Sequence, residues 1–434
     1  MAWFHSLVQE ISLVKVKRQQ DFVHRPRILL CPDTPNWAYD NICDHIESNL
    51  SHRFDFNRFY MAGVVGYPEV FLNQVFMIMK AFDILHLFWR EDAHFLTNPE
   101  NIYKAATAFR RRPEDFFEAI SRVVVTSSVY DHLHLEPQHF PWRERAFSFI
   151  DGYSVSSKLL DEIYRGIDAF PDPLAIIPDG VDTDRFKPRN LERLTRLNQP
   201  LVVGWVGNSD WGNDRARDPK GVYTILNPAL EKLRERGIDV VPHYADSTIR
   251  MRNRQEMAEY YAEIDVLVCA SEVEGTPNPV LEAMASGVPV VSTRVGIVAD
   301  ALGSAQHDFL LPERSVDALA SALGRLAQDR TLLAQLSCEN LERASSWTWA
   351  ETTKGWPDFW DAATQQHKIR RALKYHLLRE RYSAWYADNV KYNERWLPAA
   401  GPATMQRAAK QRIADWVYRS PRRAKIYNKL RRRF

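Results

Sequence analysis

At 434 residues, with 45% apolar and 26% charged side chains, the chain has a globular balance and is too long for one ordinary α/β core, so two or three domains are predicted. This composition excludes a disordered or fibrous chain, and no stretch offers the roughly eighteen uncharged apolar residues that a membrane span needs; Phe71 to Leu87, the best candidate, is interrupted by Lys80, Asp83 and His86. The net charge of +2 conceals a segregation: residues 361–434 carry 19 Lys and Arg against 5 Asp and Glu, or +14, and the remainder stands at −12.

The start, MAWFHSLVQEISLVKVKRQQ, lacks a basic segment ahead of a long apolar one, which predicts no secretory leader. Cys31, Cys43, Cys269 and Cys338 form no CxxC pair and no histidine cluster of metal-ligand spacing, so they read as reduced thiols of a cytoplasmic protein.

In chain order, RILLCP from Arg27 reads as a buried strand ending at a proline, with a helix from about Ala38. FDILHLFW and RVVVTSS are further strands, alternating with helical stretches such as NPENIYKAATAFRR. AFSFIDGYSVSSKLLDEIYRG predicts a strand and then a helix capped by Ser154 or Ser156, and LAIIPDGVDTDRFKP a short strand with a turn-rich exit. After the polar segment Arg189 to Gln199 the pattern restarts with LVVGWVGN, followed by VYTILNPALEKLRERG, IDVVPHY, RNRQEMAEYYAEI, DVLVCAS, NPVLEAMASG and VPVVST. Strict alternation predicts two doubly wound parallel sheets, each covered by helices. SSWTWAETTKGWPDFW, rich in tryptophan, reads either as a last core helix of the second domain or as a strap returning to the first. Basic helices with interleaved aromatic and aliphatic residues are predicted beyond it.

The window SEVEGTPNPVLEAMASGVPVVST carries the most chemistry. Strand DVLVCAS ends at Ser271, a loop holds Glu274, and Asn278 is placed to cap a helix with Pro279 in its first turn. Such a loop sits at the carboxyl end of a parallel strand, where open α/β sheets bind ligands. Amides from Gly275 through Thr276 to Asn278 can meet phosphate or sugar oxygens. Carboxylates at Glu274 and Glu282 can each accept two hydroxyl hydrogen bonds, from a hexose and a ribose respectively. Taken singly, each is as readily a solvated loop acid and a helix-end charge. Gly204 and Gly207 leave room at the end of VVGWVG, and the polar loop NSDWGNDRARDPKG brings Arg215, Arg217 and Lys220 toward a departing diphosphate, unless they are merely solvated.

These motifs resemble those of the retaining GT-B glycosyltransferases grouped as family four, the "glycosyl transferases group 1" set. The resemblance rests on IIPDGVDTDRF, VVGWVGN to DPKG, AEIDVLVCAS and, above all, EGTPNPVLEAMASGVPVVST with its two glutamates. It implies an α/β, GT-B type fold of two Rossmann-like domains facing a cleft: an acceptor-side domain over residues 1–188, a nucleotide-sugar domain over 189–345, a helical strap over 346–366 returning to the first domain, and a basic helical tail over 367–434. It further implies transfer of a hexosyl unit from a nucleoside diphosphate sugar to a hydroxyl acceptor, with Glu274 on the donor hexose, Glu282 on the ribose and Lys220 on the phosphates. A saccharide or lipid-linked saccharide acceptor in surface polysaccharide assembly, such as O-antigen or capsule, is implied as well. Alternatives on the same scaffold are an epimerase or phosphorylase, or a non-catalytic polysaccharide-assembly or sugar-nucleotide-binding protein.

The chain departs from the family in places. Asn208 stands where an arginine is usual, leaving Arg215 or Arg217 to substitute; PDTPNWAYDN replaces a glycine-rich loop; and VVVTSSVYDHLH puts Ser127 or Ser128 where a histidine is usual, with Asp131 and His132 just after. His132 is the candidate acceptor-side catalytic group, against the reading of a surface histidine. Asp182-Thr183-Asp184 has the form of a metal-binding DxD string, but at a domain junction Asp182 reads as a turn cap, and no metal cofactor is expected. The tail suits an anionic membrane surface at the inner face of the cell membrane, or a solvated or dimerising helix pair; no nucleic-acid module accompanies it.

Overall fold

A computed structural model describes residues 25–391 apart from 64–66, 80, 134, 136 and 215. Arg215 and the tail beyond residue 391 therefore lie outside the described residues.

The first unit opens with β1 (Arg27–Cys31), α1 (Ala38–Leu50), β2 (Asp55–Arg58), α2 (Pro68–Met79) and β3 (Ile84–Leu87). It continues with α3 (Pro99–Phe109), α4 (Pro113–Arg122), β4 (Val124–Val129), β5 (Gly152–Val155), α5 (Lys158–Arg165) and β6 (Ala175–Ile176). Its strands form one six-stranded sheet, ordered β2-β1-β3-β4-β5-β6, with every pairing parallel. The apolar runs of β1, β3 and β4 lie in its middle, buried on both faces as a helix-covered parallel sheet requires. Edge strand β2, whose residues alternate between exposed and half-buried, has no apolar run and was not foreseen from sequence. The cap of α5 is Ser157, whose side chain accepts from the Leu160 amide, rather than Ser154 or Ser156. Those two serines belong to β5 and its exit, and both are buried.

The second unit comprises β7 (Leu201–Gly207), α6 (Asn227–Glu235), β8 (Val240–Asp246), α7 (Arg254–Tyr260), β9 (Val266–Cys269), α8 (Asn278–Ala285), β10 (Val290–Ser292), α9 (Val316–Gln328) and α10 (Arg330–Ala344). Its sheet has four parallel strands in the order β10-β9-β7-β8.

The last α-helix among the described residues, α11 (Gly355–Tyr386), packs on the first unit. Trp356 and Trp360 are buried with Ile28, Leu30, Phe54 and Ile84, and Trp360 meets Phe54 edge-on at 5.2 Å. The chain reaches it by way of Val181, which donates to the Trp347 carbonyl at 2.8 Å. The helix is continuous from Gly355 to Tyr386, so no break falls at residue 366. One helical phase of buried residues, from Trp356 through Trp360, His367 and Lys374 to Leu378, holds the rod first against the sheet and then against α3 and α4.

Candidate functional site

The carboxyl ends of β1, β3 and β4 face those of β7 and β9 across a seam, the place where parallel sheets leave backbone amides and loops free for ligands. There a cavity of about 320 Å³ is lined from the first unit by Asp33, Trp37, Tyr39, Trp89, Tyr130 and Asp131, and from the second by Trp211, Lys220, Glu274, Gly275, Thr276 and Asn278.

Lys220 is fixed by its neighbours. The buried Asp218 carboxylate accepts from the Val222, Tyr223 and Thr224 amides, tying off the loop as the next helix begins. Gly221 then turns with φ +71, a conformation that disfavours side chains, where a Cβ would strike the Ala270 carbonyl. Arg314 donates to both the Ala270 and Asp218 carbonyls, binding the loop to the end of β9. So held, Lys220 Nζ forms an ion pair with Glu274 and lies 5.2 Å from the centre of the Trp211 ring. Ser271 Oγ donates to Glu274 at 2.9 Å. Asp218 and Arg314 are positioning groups that sequence reading missed: Asp218 acts within its own turn, and the partners of Arg314 lie on loops far away in the chain.

Gly275 lets the two units touch: a Cβ there would collide with the Tyr130 carbonyl oxygen and stand 2.6 Å from Ser156 Oγ, both in the first unit. Thr276 Oγ1 accepts from the Asp179 amide at 3.3 Å. The Asp179 carboxyl, buried between Asn278 and Tyr130, is pushed up to about 7 by burial, against the opposing pull of hydrogen bonds from both. This residue also lines the cavity, although IIPDGV reads in sequence as a plain turn.

Glu274 and Glu282 do not share one pocket. Glu282 lines a second, smaller cavity of about 70 Å³ with His45, Asp182, Arg185 and Arg254, and Asn278 borders both cavities. The Glu282 carboxyl accepts from the Tyr261 hydroxyl at 2.7 Å and is raised to about 7 by burial. An apolar helix face draws Glu282 inward, whereas the loop leaves Glu274 at the cleft.

Other expected residues fall elsewhere. Asn278 is not the helix cap; Pro277 holds that position, and the Asn278 amide turns to Asp179. Gly204 makes room for Tyr260, whose hydroxyl would stand 2.8 Å from a Cβ, and Gly207 for the Trp205 ring, so neither glycine frees space for a ligand. Asn208 caps its own turn, accepting from the Asp210 amide at 2.9 Å. Arg217 is held by Glu272 through two bonds of 2.9 Å outside the cavity lining. Ser127 and Ser128 are buried within the sheet, Ser127 donating to the Leu87 carbonyl and Ser128 meeting Ser154. Asp131, next in line, is bound to Arg90 at 2.9 Å; burial would raise its carboxyl, but that guanidinium holds it below the usual range. His132 is absent from the cavity lining, and burial lowers its imidazole against the pull of Asp131 and Glu272. Asp182 Oδ1 accepts from the Asp184 and Arg185 amides, the bonds of a turn cap.

Residues 224–329 match the family described as "Glycosyl transferases group 1". Among curated relatives, the chain is 29% identical over 203 residues to the MMP alpha-(1->4)-mannosyltransferase of Mycolicibacterium hassiacum, covering 44% of this chain and 48% of that protein. It is 25% identical to the D-inositol 3-phosphate glycosyltransferase of Stackebrandtia nassauensis, covering 60% of this chain and 59% of that one. The chain thus spans about half the length of the curated relatives it matches. Among solved structures, sucrose-phosphate synthase of Thermosynechococcus elongatus aligns with TM-score 0.53 at 15% identity, over 80% of this chain and 99% of that one. HepE of Anabaena in complex with UDP aligns with TM-score 0.51 at 13% identity, over 77% and 99%. At these identities the structural likeness speaks for the fold. The sequence match over residues 224–329 of the second unit is to the group 1 glycosyl transferases, and the two facing parallel sheets have the GT-B fold.

Proposed function

We propose that the chain is a retaining hexosyltransferase that moves a sugar from a nucleoside diphosphate to a saccharide hydroxyl during assembly of a surface polysaccharide. The observation that carries this reading is the meeting of Lys220 and Glu274 in one interdomain cavity. The ammonium offsets charge growing on the departing diphosphate, and the carboxylate accepts hydroxyl hydrogen bonds from the hexose. Without a ligand the two neutralise each other; a donor gives each a new partner. With Asp131 engaged by Arg90, we favour front-side attack by the acceptor hydroxyl over a covalent glycosyl-enzyme, with Lys220 meeting the phosphates without a metal ion. Contact of Gly275 with Tyr130 and Ser156 narrows the seam, which favours transfer over hydrolysis. The roles that relatives are named for, including the lipopolysaccharide core biosynthesis mannosyltransferase LpsB of Rhizobium meliloti, 29% identical over 202 residues, support the pathway class. Glu274→Gln is expected to lower consumption of UDP-, GDP- or ADP-hexoses by at least about 100-fold; turnover near that of the unaltered chain would remove the assignment.

We also place the protein at the inner face of the membrane. No helix among the described residues is long and apolar enough to cross a bilayer. Yet Ile369 and Leu373 stand 79% and 53% exposed on α11, beside the exposed Lys368 and Arg371 and ahead of the basic tail. Flotation with anionic vesicles should require residues 392–434, and equal flotation after their removal would count against the tail.

A further inference from the structure

Two of the departures from the family pattern meet in space. The loop PDTPNWAYDN after β1 supplies Trp37 and the loop NSDWGNDRARDPKG after β7 supplies Trp211, and both line the cavity of Glu274 and Lys220. Trp89, following β3, joins them. Trp37 is 60% exposed, Trp211 41% and Trp89 39%, so the seam presents three large indoles to solvent. Such exposure forgoes apolar burial that a ligand can restore. Trp89 is braced from behind by Tyr39, which meets it edge-on at 5.5 Å, lies 5.4 Å from Tyr130 and stacks on Phe88 at 5.2 Å.

The polar groups beside the indoles select among ligands. Asp33 has a buried Oδ1 with no hydrogen-bond partner, and Asp131, Asp179 and Glu274 surround the same space. Among the described residues lining the cavity, the cation is Lys220, already paired with Glu274. Asp131 and Glu274 are already paired with Arg90 and Lys220, so the carboxylate oxygen left without a partner is on Asp33, and a phosphorylated or uronic-acid acceptor would bring negative charge against it. A neutral pyranose fits both features: its C–H face covers an indole, and its hydroxyls donate to Asp33.

We propose that Trp37, Trp89 and Trp211 form an acceptor subsite for a neutral hexopyranose, with Asp33 accepting from one of its hydroxyls. The assignment to an acceptor rests on the transferase reading above; the recognition of a neutral sugar does not. Saturation-transfer NMR on the full chain tests it, with methyl hexopyranosides of glucose, galactose and mannose set against glucuronate and inositol 1-phosphate. The neutral glycosides should take up saturation from aromatic protons, Trp37→Ala and Trp211→Ala should each weaken their binding about three- to tenfold, and Trp37→Phe should restore most of it. Three results would overturn the subsite: no neutral glycoside binding up to about 50 mM, equal binding by the alanine variants, or preference for the anionic sugars. Because no donor is present, the outcome is separate from catalysis. Neutral-sugar binding through the tryptophans in a chain that consumes no nucleotide sugar would remove the transferase reading and leave the subsite standing.

Discussion

The Lys374 ammonium donates to the Asp151 carboxylate across 2.6 Å, and both side chains are fully buried where α11 crosses the first sheet. Asp151 Oδ2 also accepts from the Val125 amide at 2.8 Å and meets His367 at 3.0 Å, so one carboxylate joins two strands of the sheet to two turns of the helix. Burial drives the Lys374 ammonium down to about 8 despite its partner, whereas the bonds to His367 and Lys374 outweigh burial and hold Asp151 below the carboxylate range. Asp151→Ala, which strands a buried ammonium, is expected to cost about 3–5 kcal/mol in urea unfolding. The double change with Lys374→Met should cost less than the sum of the two single changes; simple additivity would show that the pair is not a coupled lock.

Lys220→Ala removes the cation opposite Glu274 at a site about one-fifth exposed. Stability should change by no more than about 1 kcal/mol, while kcat for nucleotide-sugar consumption falls on the order of 100-fold or more. A change confined to the donor KM would reduce Lys220 to a binding group.

Glu282 and Asp179 both have folded values of about 7, above those of an unfolded chain. Between about pH 4.5 and 7 these two groups hold protons in the fold that the unfolded chain has released, so their contribution to stability falls as pH rises. The half-buried His45 and the buried His86, lowered to about 4 and 3, contribute the opposite slope below about pH 6.5. For Glu282 alone the loss is on the order of 3 kcal/mol. Urea unfolding at pH 5 and pH 8 of the unaltered chain and of Glu282→Gln isolates it: the variant should lack this fall, so the difference between the two profiles should be on the order of 3 kcal/mol. A Gln variant with the slope of the unaltered chain would mean that Glu282 is not protonated in the fold.

Gly275→Ala would drive a methyl group into Tyr130 and Ser156 across the seam. Each unit keeps its own core, so the melting temperature should move by only a few degrees. The seam opens instead, lowering transfer at least about tenfold and raising the share of donor lost to water. An unchanged ratio of transfer to hydrolysis would show that closure at Gly275 is not needed.

Much of the architecture was legible locally. Apolar runs such as RILLC and VLVC mark central strands because a strand buried on both faces has no polar side to show. Glu274 and Lys220 were each legible as cleft residues, since each follows a strand whose carboxyl end must face the cleft, but their ion pair was not. Edge strand β2 was not, as its solvent side lets DFNR stay polar. The reach of α11 to Tyr386 was hidden too, because a basic stretch holding a few buried residues reads as a solvated helix.

The sequence by itself determined two parallel sheets, their order along the chain and the family of the second unit, because periodicity and short-range spacing encode them. Only the tertiary structure decided that Glu282 turns into a cavity separate from that of Glu274, that Asp179 lies buried at the seam, and that Trp37 and Trp211 come to one wall. Those outcomes depend on which surfaces meet across the cleft. Residues more than a hundred positions apart become neighbours there through packing, which no local pattern records.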